Sequence, residues 1–350
     1  MKRRSLCAAA ACGLLPAAGR AAETPRAAPL PPVLTQPAQS TPLASRSALL
    51  AAARAGRRLV LAGERGLVIF SDDGGQQWQQ AQVPAQVSLT ALCFGDARTG
   101  WACGHFGSLM QTDDAGQTWR QLLDGRQLAQ LELTAAGDDA ALREAAQRRI
   151  AEGPDKPLLD LGLSPDGSLY AVGAYGLAFV HRGQAWQSLH TRLPNRRRLH
   201  LYAVRSDGPR VFMAGEQGLL LRSLDGGAHF DALPSPYKGS FFGLLLARDG
   251  ALLAYGLRGN IWRSADQGES WTAVDNPVPV SLSAGLRRQD GSLLLLAQNG
   301  DLLLSRDDGR SFTRQPALPA LPSASLVEAD AGHVVLAGLR GLQRQRLSFT

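Results

Sequence analysis

"SDDGGQQW", residues 71–78, sets an acidic pair, two glycines and two amides ahead of a tryptophan, a polar corner that ends in a residue suited to burial. The pattern returns as "TDDAGQTW" (112–119), "SLDGGAHF" (223–230), "SADQGESW" (264–271) and "SRDDGRSF" (305–312). Its aspartates are Asp73, Asp114, Asp225, Asp266 and Asp307. Asp73 to Asp114, Asp225 to Asp266 and Asp266 to Asp307 are each 41 residues, and the wider gap from Asp114 to Asp225 has room for one more unit and an insertion. Upstream of each turn a β-rich run ends in a small residue, two variable residues and a glycine, as in "LVLAGERGLVIF" and "YAVGAYGLAFV". This second signature occurs seven times and closes on Gly66, Gly107, Gly176, Gly218, Gly259, Gly300 and Gly341, where a tight hairpin needs positive φ. The third unit keeps only "HRGQAW" with Trp186 in place of the acidic turn, and the seventh ends before one.

Seven units of about 40 residues, each with room for four short strands, give an all-β fold: a seven-bladed β-propeller over residues 47–350. The acidic turn then joins the third strand to the fourth. Its carboxylate accepts backbone N–H groups, its glycine takes the left-handed position, and its aromatic tucks under the hairpin. Recurrence at one place in successive blades marks a structural staple rather than five copies of a catalytic group. The chain stops after the third strand of blade 7, so residues 33–36, within the Pro-rich stretch 23–46, are expected to supply the missing outer strand and close the ring. Between blades 2 and 3, an insertion of about residues 125–156 includes "GDDAALREAAQRRIAEGP", which predicts a short helix over 138–152.

The first residues read as an export signal of about 22 residues. Lys2, Arg3 and Arg4 precede an apolar run from Leu6 to Ala18 and small residues suited to cleavage near 19–22. Arg3-Arg4 loosely fits a twin-arginine signal, and Cys12 is a candidate for lipidation. The expected location is therefore the periplasm, with a monomer whose membrane contact runs through a client or a lipid anchor. Of the net charge of +7, four positive charges lie in the first 21 residues, which hold no acid. The balance lacks the concentrated basic face of a nucleic-acid binder. Cys93 and Cys103 fall on adjacent strands of one hairpin, as a disulfide or as two small buried side chains. Scattered histidines and the absence of paired C-x-x-C or phosphate-loop motifs give no metal site, no cofactor and no catalytic residue.

S/T-x-D-x-G-x-x-W/F is the Asp-box, or BNR repeat, of sialidases, sortilin-type receptors and photosystem II stability/assembly factors. The direct run of the G-x-x-G hairpin into the box, as in "LAGERGLVIFSDDGGQQW" and "CGHFGSLMQTDDAGQTW", most resembles the last of these. That resemblance implies a non-enzymatic, lumenal or periplasmic propeller that holds a membrane-protein or envelope-complex client during assembly, with a basic patch on one face. "NRRRLH", carrying Arg196, Arg197 and Arg198, resembles that patch. Arginine clusters of this kind suit carboxylate or phosphate partners. Arg65, Arg258, Arg340, Tyr175 and His105 lie in the turns expected on the same face. The alternative is a sialidase-like glycoside hydrolase or a carbohydrate-binding propeller. A sialidase needs three arginines around a carboxylate and a tyrosine assisted by a glutamate. Arg65, Arg258 and Arg340 occupy equivalent turns, but the expected R-I-P motif is absent and neither Glu64 nor Glu216 has an identifiable tyrosine partner. Tyr175, Phe106 and Trp262 are possible stacking surfaces for a sugar or peptide at the channel mouth, although blade packing accounts better for Trp262.

Overall fold

A computed structural model describes residues 30–316 and 321–348. The expected export signal, with Cys7 and Cys12, lies outside the described residues. Seven antiparallel sheets follow one another along the chain, six with four strands and the last with three. In blade 1 the strands, called A to D outward from the axis, are Leu49–Ala55, Arg58–Gly63, Val68–Ser71 and Gln79–Gln80. Strand A of each blade packs on strand A of the next, and that of blade 7 (Ser323–Asp330) packs on that of blade 1, so the ring is closed. Strands B and C are short, apolar and largely buried on both faces between neighbouring blades, as in the all-buried run Leu293–Ala297 of blade 6, whereas strand A mixes buried and half-buried positions, as in Leu89–Phe94. The core is accordingly a circle of inter-blade clusters rather than one central mass.

The acidic turn is a bolt between blades. In the first copy Asp73 Oδ1 accepts the Gln76 and Gln77 backbone N–H groups at 2.9 and 3.0 Å, and Ser71 Oγ donates to it at 2.8 Å while accepting from Gly75 N. These bonds hold the Asp73 carboxyl below its ordinary range, the Gln77 amide first and the Ser71 hydroxyl next. Two successive left-handed residues follow the aspartate in every copy; at Gly74 and Gly75 φ is 72° and 86°. The second of them rests on the preceding blade, so a Cβ at Gly268 would lie 2.4 Å from Leu233, and one at Gly75 would lie 2.8 Å from Val335 of blade 7. An arginine of that preceding blade donates to the carbonyl just after the aspartate in all five copies. The pairs are Arg58 to Ala115 O, Arg182 to Gly226 O, Arg222 to Gln267 O, Arg263 to Asp308 O and Arg344 to Gly74 O, at 2.5–3.4 Å.

Two expectations need correction. Residues 33–36 do not form a closing strand, because Pro32–Leu34 is a 3-10 turn and the sheet of blade 7 has three strands among the described residues. Pro31, Pro32 and Pro37 carry no N–H for a ladder. The segment instead lies along blade 1, where Gln86 N donates to Val33 O, Ala38 N donates to Val83 O, and Leu34 enters the cluster of Val83, Ala85 and Trp119. Blade 7 meets blade 1 through strand A on strand A and a shared apolar cluster, to which the first bolt adds Gly75 on Val335 and Arg344 on Gly74 O. The insertion holds two helices, α1 (Gly125–Ala135) and α2 (Ala140–Glu152), where the sequence predicts one. The second matches the expected helix, and the first starts from a capping box of Asp124 with Gln127.

Cys93 and Cys103 are free; Cys93 faces Trp101 and Cys103 faces Ala91, so they are offset by two positions in the ladder rather than opposed. Burial pushes the Cys93 thiol up to about 12. Cys103 is buried and Cys93 half-buried, and they form no bridge. No helix of the described residues is long and apolar enough to cross a membrane.

Candidate functional site: the rim that carries the insertion

Five of the seven turns between strands B and C place a non-glycine residue in the left-handed region: Arg65, Phe106, Tyr175, Gln217 and Arg258, with φ of 52° to 59°. Each such residue costs on the order of 1–2 kcal/mol. The closing glycine of the turn takes positive φ as well, and the backbone before strand A crowds it; a Cβ at Gly66 would lie 1.9 Å from Ala85 O. The turns and the connections into strand A therefore share one face, and the insertion sits there too. Helix α1 packs on the His105–Gly107 turn, and Arg149 of α2 donates to Tyr175 O at 3.1 Å.

Arg196, Arg197 and Arg198 are all exposed, on a turn that Asn195 ties down by donating to Leu199 O and accepting from Leu199 N. Arg198 itself has a φ of 52°, and Arg197 reaches the Gln217 side chain. Between this loop and α2 lies a cleft of about 520 Å³, lined by Arg149, Arg196, Arg198, Tyr175, Leu142 and Leu193 among others. Arg149 is bound bidentately by Glu132 of α1 at 2.8 Å, with side-chain exposures of 11% and 4%. Burial pushes the Glu132 carboxyl up, while Arg149 and Arg198 pull it back. Asp139, the other acid of the cleft, is engaged in capping Leu142 N at the start of α2. The free charge of the cleft is therefore that of Arg196 and Arg198. Burial, reinforced by Arg149 and Arg198, depresses the pKa of His190 in the same cleft to about 4.

Tyr175 is 48% exposed. Lys156 lies 5.5 Å over its ring, and the His200 ring is 4.9 Å away on another side. His200 in turn hydrogen-bonds Glu216 at 3.0 Å and neighbours Tyr202, whose ring meets Phe242 edge-on at 5.5 Å. A row of rings thus leads from the cleft into the central channel.

The structure joins Arg196, Arg198 and Tyr175 in one site, with Arg197 beside it. Arg65, Arg258, Arg340 and His105 are exposed on the turns of blades 1, 5, 7 and 2, spread around the rim with no hydrogen bond or ion pair linking them to one another. The equivalent turns that carry three arginines therefore do not make a single grip. Trp262 belongs to the packing between blades 4 and 5. Sequence reasoning missed Glu132, Arg149, His190 and His200, whose roles come from contacts across the insertion and the following connection. The five box aspartates stay on the C-to-D turns as structural groups, and no cluster of three or more metal-ligating side chains exists among the described residues.

These features define a seven-bladed β-propeller with a helical insertion on one rim. No family model and no curated protein matches the chain. Solved structures match in fold. YCF48 bound to D1 peptide is 16% identical with a TM-score of 0.61, covering 87% of this chain and 94% of that one. YCF48 from Cyanidioschyzon merolae is 15% identical with a TM-score of 0.63, covering 87% and 97%. A streptogramin B lyase is 12% identical with a TM-score of 0.68, covering 87% and 95%. The same architecture thus serves a peptide-bound protein and an enzyme, and the fold by itself decides neither role.

Proposed function

We propose that the protein is an exported, non-enzymatic interaction propeller that holds an extended segment of a membrane-protein or envelope-complex client in the cleft between α2 and the 195–198 loop. The observation that carries this reading is the cleft itself. Two guanidinium groups with no ion pair among the described residues, Arg196 and Arg198, line it together with Tyr175 and the apolar side chains of Leu142, Ala145, Ala146 and Leu193. Such a surface suits a chain that offers carboxylates beside apolar side chains. YCF48, a propeller of the same fold, has been solved with a D1 peptide, which supports a peptide as the class of ligand. The strained turns and buried Glu132–Arg149 pair supply a rigid platform, so little ordering cost falls on the protein when a client binds.

Export rests on the basic, apolar and small-residue pattern of the first 22 residues. Replacing Arg196, Arg197 and Arg198 together by glutamate is expected to abolish recovery of the client from detergent-solubilised envelope fractions. Undiminished recovery would move the site elsewhere. The hydrolase alternative is met by incubating purified protein with a fluorogenic sialoside, where turnover would replace the binding role with an enzymatic one.

A further inference from the structure

Strand A of every blade carries a bulge one residue after its first, and the residue left unpaired turns toward the axis. Tyr202 and Phe242 are two of these, and both line a channel cavity of about 200 Å³. On the same wall Arg205 donates to Asp160 Oδ2 at 2.6 Å, with Arg205 and Asp160 side chains 31% and 17% exposed. That carboxylate oxygen also accepts from Val204 N, and Arg205 Nη1 also donates to Val204 O. Asp160 Oδ1 and Arg205 Nη2 have no protein partner among the described residues.

Tyr255 comes from strand B, one layer further out, and is nonetheless among the residues that line this cavity. It gets there because Gly243 is its partner in the ladder; a Cβ at Gly243 would fall 2.1 Å from the phenol oxygen. Gly285 of the next blade leaves space on the other side, where a Cβ would stand 3.0 Å from the same atom. Two strand-A glycines, in positions that elsewhere hold side chains, let a phenol hydroxyl reach the channel. Burial raises its pKa, so it remains a donor at any physiological pH. Ser325, 7% exposed on blade 7, adds a hydroxyl that is buried with no hydrogen-bond partner among the described residues.

We infer that the channel is a binding site for a neutral, hydroxyl-rich molecule of monosaccharide size, held by Arg205, Asp160, Tyr255 and Ser325 beside the rings of Tyr202 and Phe242. The Arg205–Asp160 pair makes the wall neutral overall while leaving both a donor and an acceptor open. An added carboxylate or ammonium would bring a third charge to a wall whose two charges already cancel. A polyol satisfies both kinds of group at once, and the C–H face of a sugar ring packs on the half-buried aromatics. The site is separate from the client cleft on the rim and does not depend on it.

Ligand-observed NMR and calorimetry with D-glucose, D-galactose and N-acetyl-D-glucosamine test the inference, with acetate and glutamate as charged comparators. At least one sugar is expected to bind with Kd of about 1 mM or tighter. Tyr255→Phe keeps the ring and removes the hydroxyl, and should weaken that sugar about fivefold. Ser325→Val, which puts methyl groups where the unpartnered hydroxyl stands, should weaken it in the same direction. The Arg196, Arg197 and Arg198 charge reversal should leave sugar binding unchanged, which separates this site from the rim. Binding by the anions alone, no binding by any of the sugars, or sugar binding that neither channel variant alters would overturn the assignment.

Discussion

The acidic turns and the insertion-bearing rim use the same residue type to opposite ends. In the turns, Arg58, Arg182, Arg222, Arg263 and Arg344 each donate to one backbone carbonyl of the next blade, and every charge has a fixed job. On the rim, Arg196 and Arg198 line a cleft in which, among the described residues, Arg149 is the guanidinium held by a carboxylate. Left-handed backbone is divided in the same way. In the turns it lets a residue touch the preceding blade, whereas on the rim it holds Tyr175 half exposed beside open space. Regular repetition accompanies structural work, and the break in repetition between blades 2 and 4 holds the cleft proposed for the client.

The sharpest way to break this comparison is to damage one bolt. Gly268→Val combines a φ of 95° with a clash against Leu233, and should cost about 3 kcal/mol in urea unfolding. Loss of less than about 1 kcal/mol would mean that the turn is not clamped on blade 4. Arginines come next. Arg263, which donates to Asp308 O and pairs with Asp249, should cost about 2 kcal/mol when replaced by alanine. Arg258→Ala, only five residues earlier but exposed on the rim, should stay within about 0.5 kcal/mol. Equal effects would erase the distinction between the two regions.

A smaller effect concerns pH. The folded-state pKa of His190, about 4, lies below its ordinary value of 6.5, so between those values the unfolded chain binds more protons. The stability contributed by neutral His190 is complete above pH 6.5 and is lost as the pH falls toward 4. His190→Gln should flatten the pH dependence of the melting temperature across that window, and an unchanged slope would place the histidine in solvent. The box carboxylates act lower. Asp73 is held below the ordinary range in the fold, so its contribution persists above about pH 4 and is lost on further acidification. Asp73→Asn should flatten the stability profile only on that acidic side.

The blade count was readable because each unit writes its own corners: a small residue, two variable residues and a glycine, G-x-x-G in six units and Ala297 to Gly300 in blade 6, and, in five of seven, an aspartate with its glycine and aromatic. The ring closure was not readable from a strand count. A missing outer strand pointed to residues 33–36, yet Pro32–Leu34 is a 3-10 turn, and blade 7 meets blade 1 through strand A, a shared apolar cluster and the Arg344 bond to Gly74 O. Helix α1 had a local signal in Asp124 and Gln127. The Arg196–Arg198 run was visible because it is contiguous. Glu132 with Arg149, and Asp160 with Arg205, are 17 and 45 residues apart, and only folding reveals those pairs. Tyr255 was hidden for another reason: its reach into the channel depends on the lack of side chains at Gly243 and Gly285.

The division of labour between the two regions can be read in one experiment. A photo-crosslinking side chain placed at Arg196 on the rim and, separately, at Gln76 in an acidic turn would be irradiated in cells that make the protein. The account predicts a discrete adduct with a membrane or envelope protein from position 196 and none from position 76. Adducts from position 76 with none from 196 would contradict it and make the bolted face the working surface.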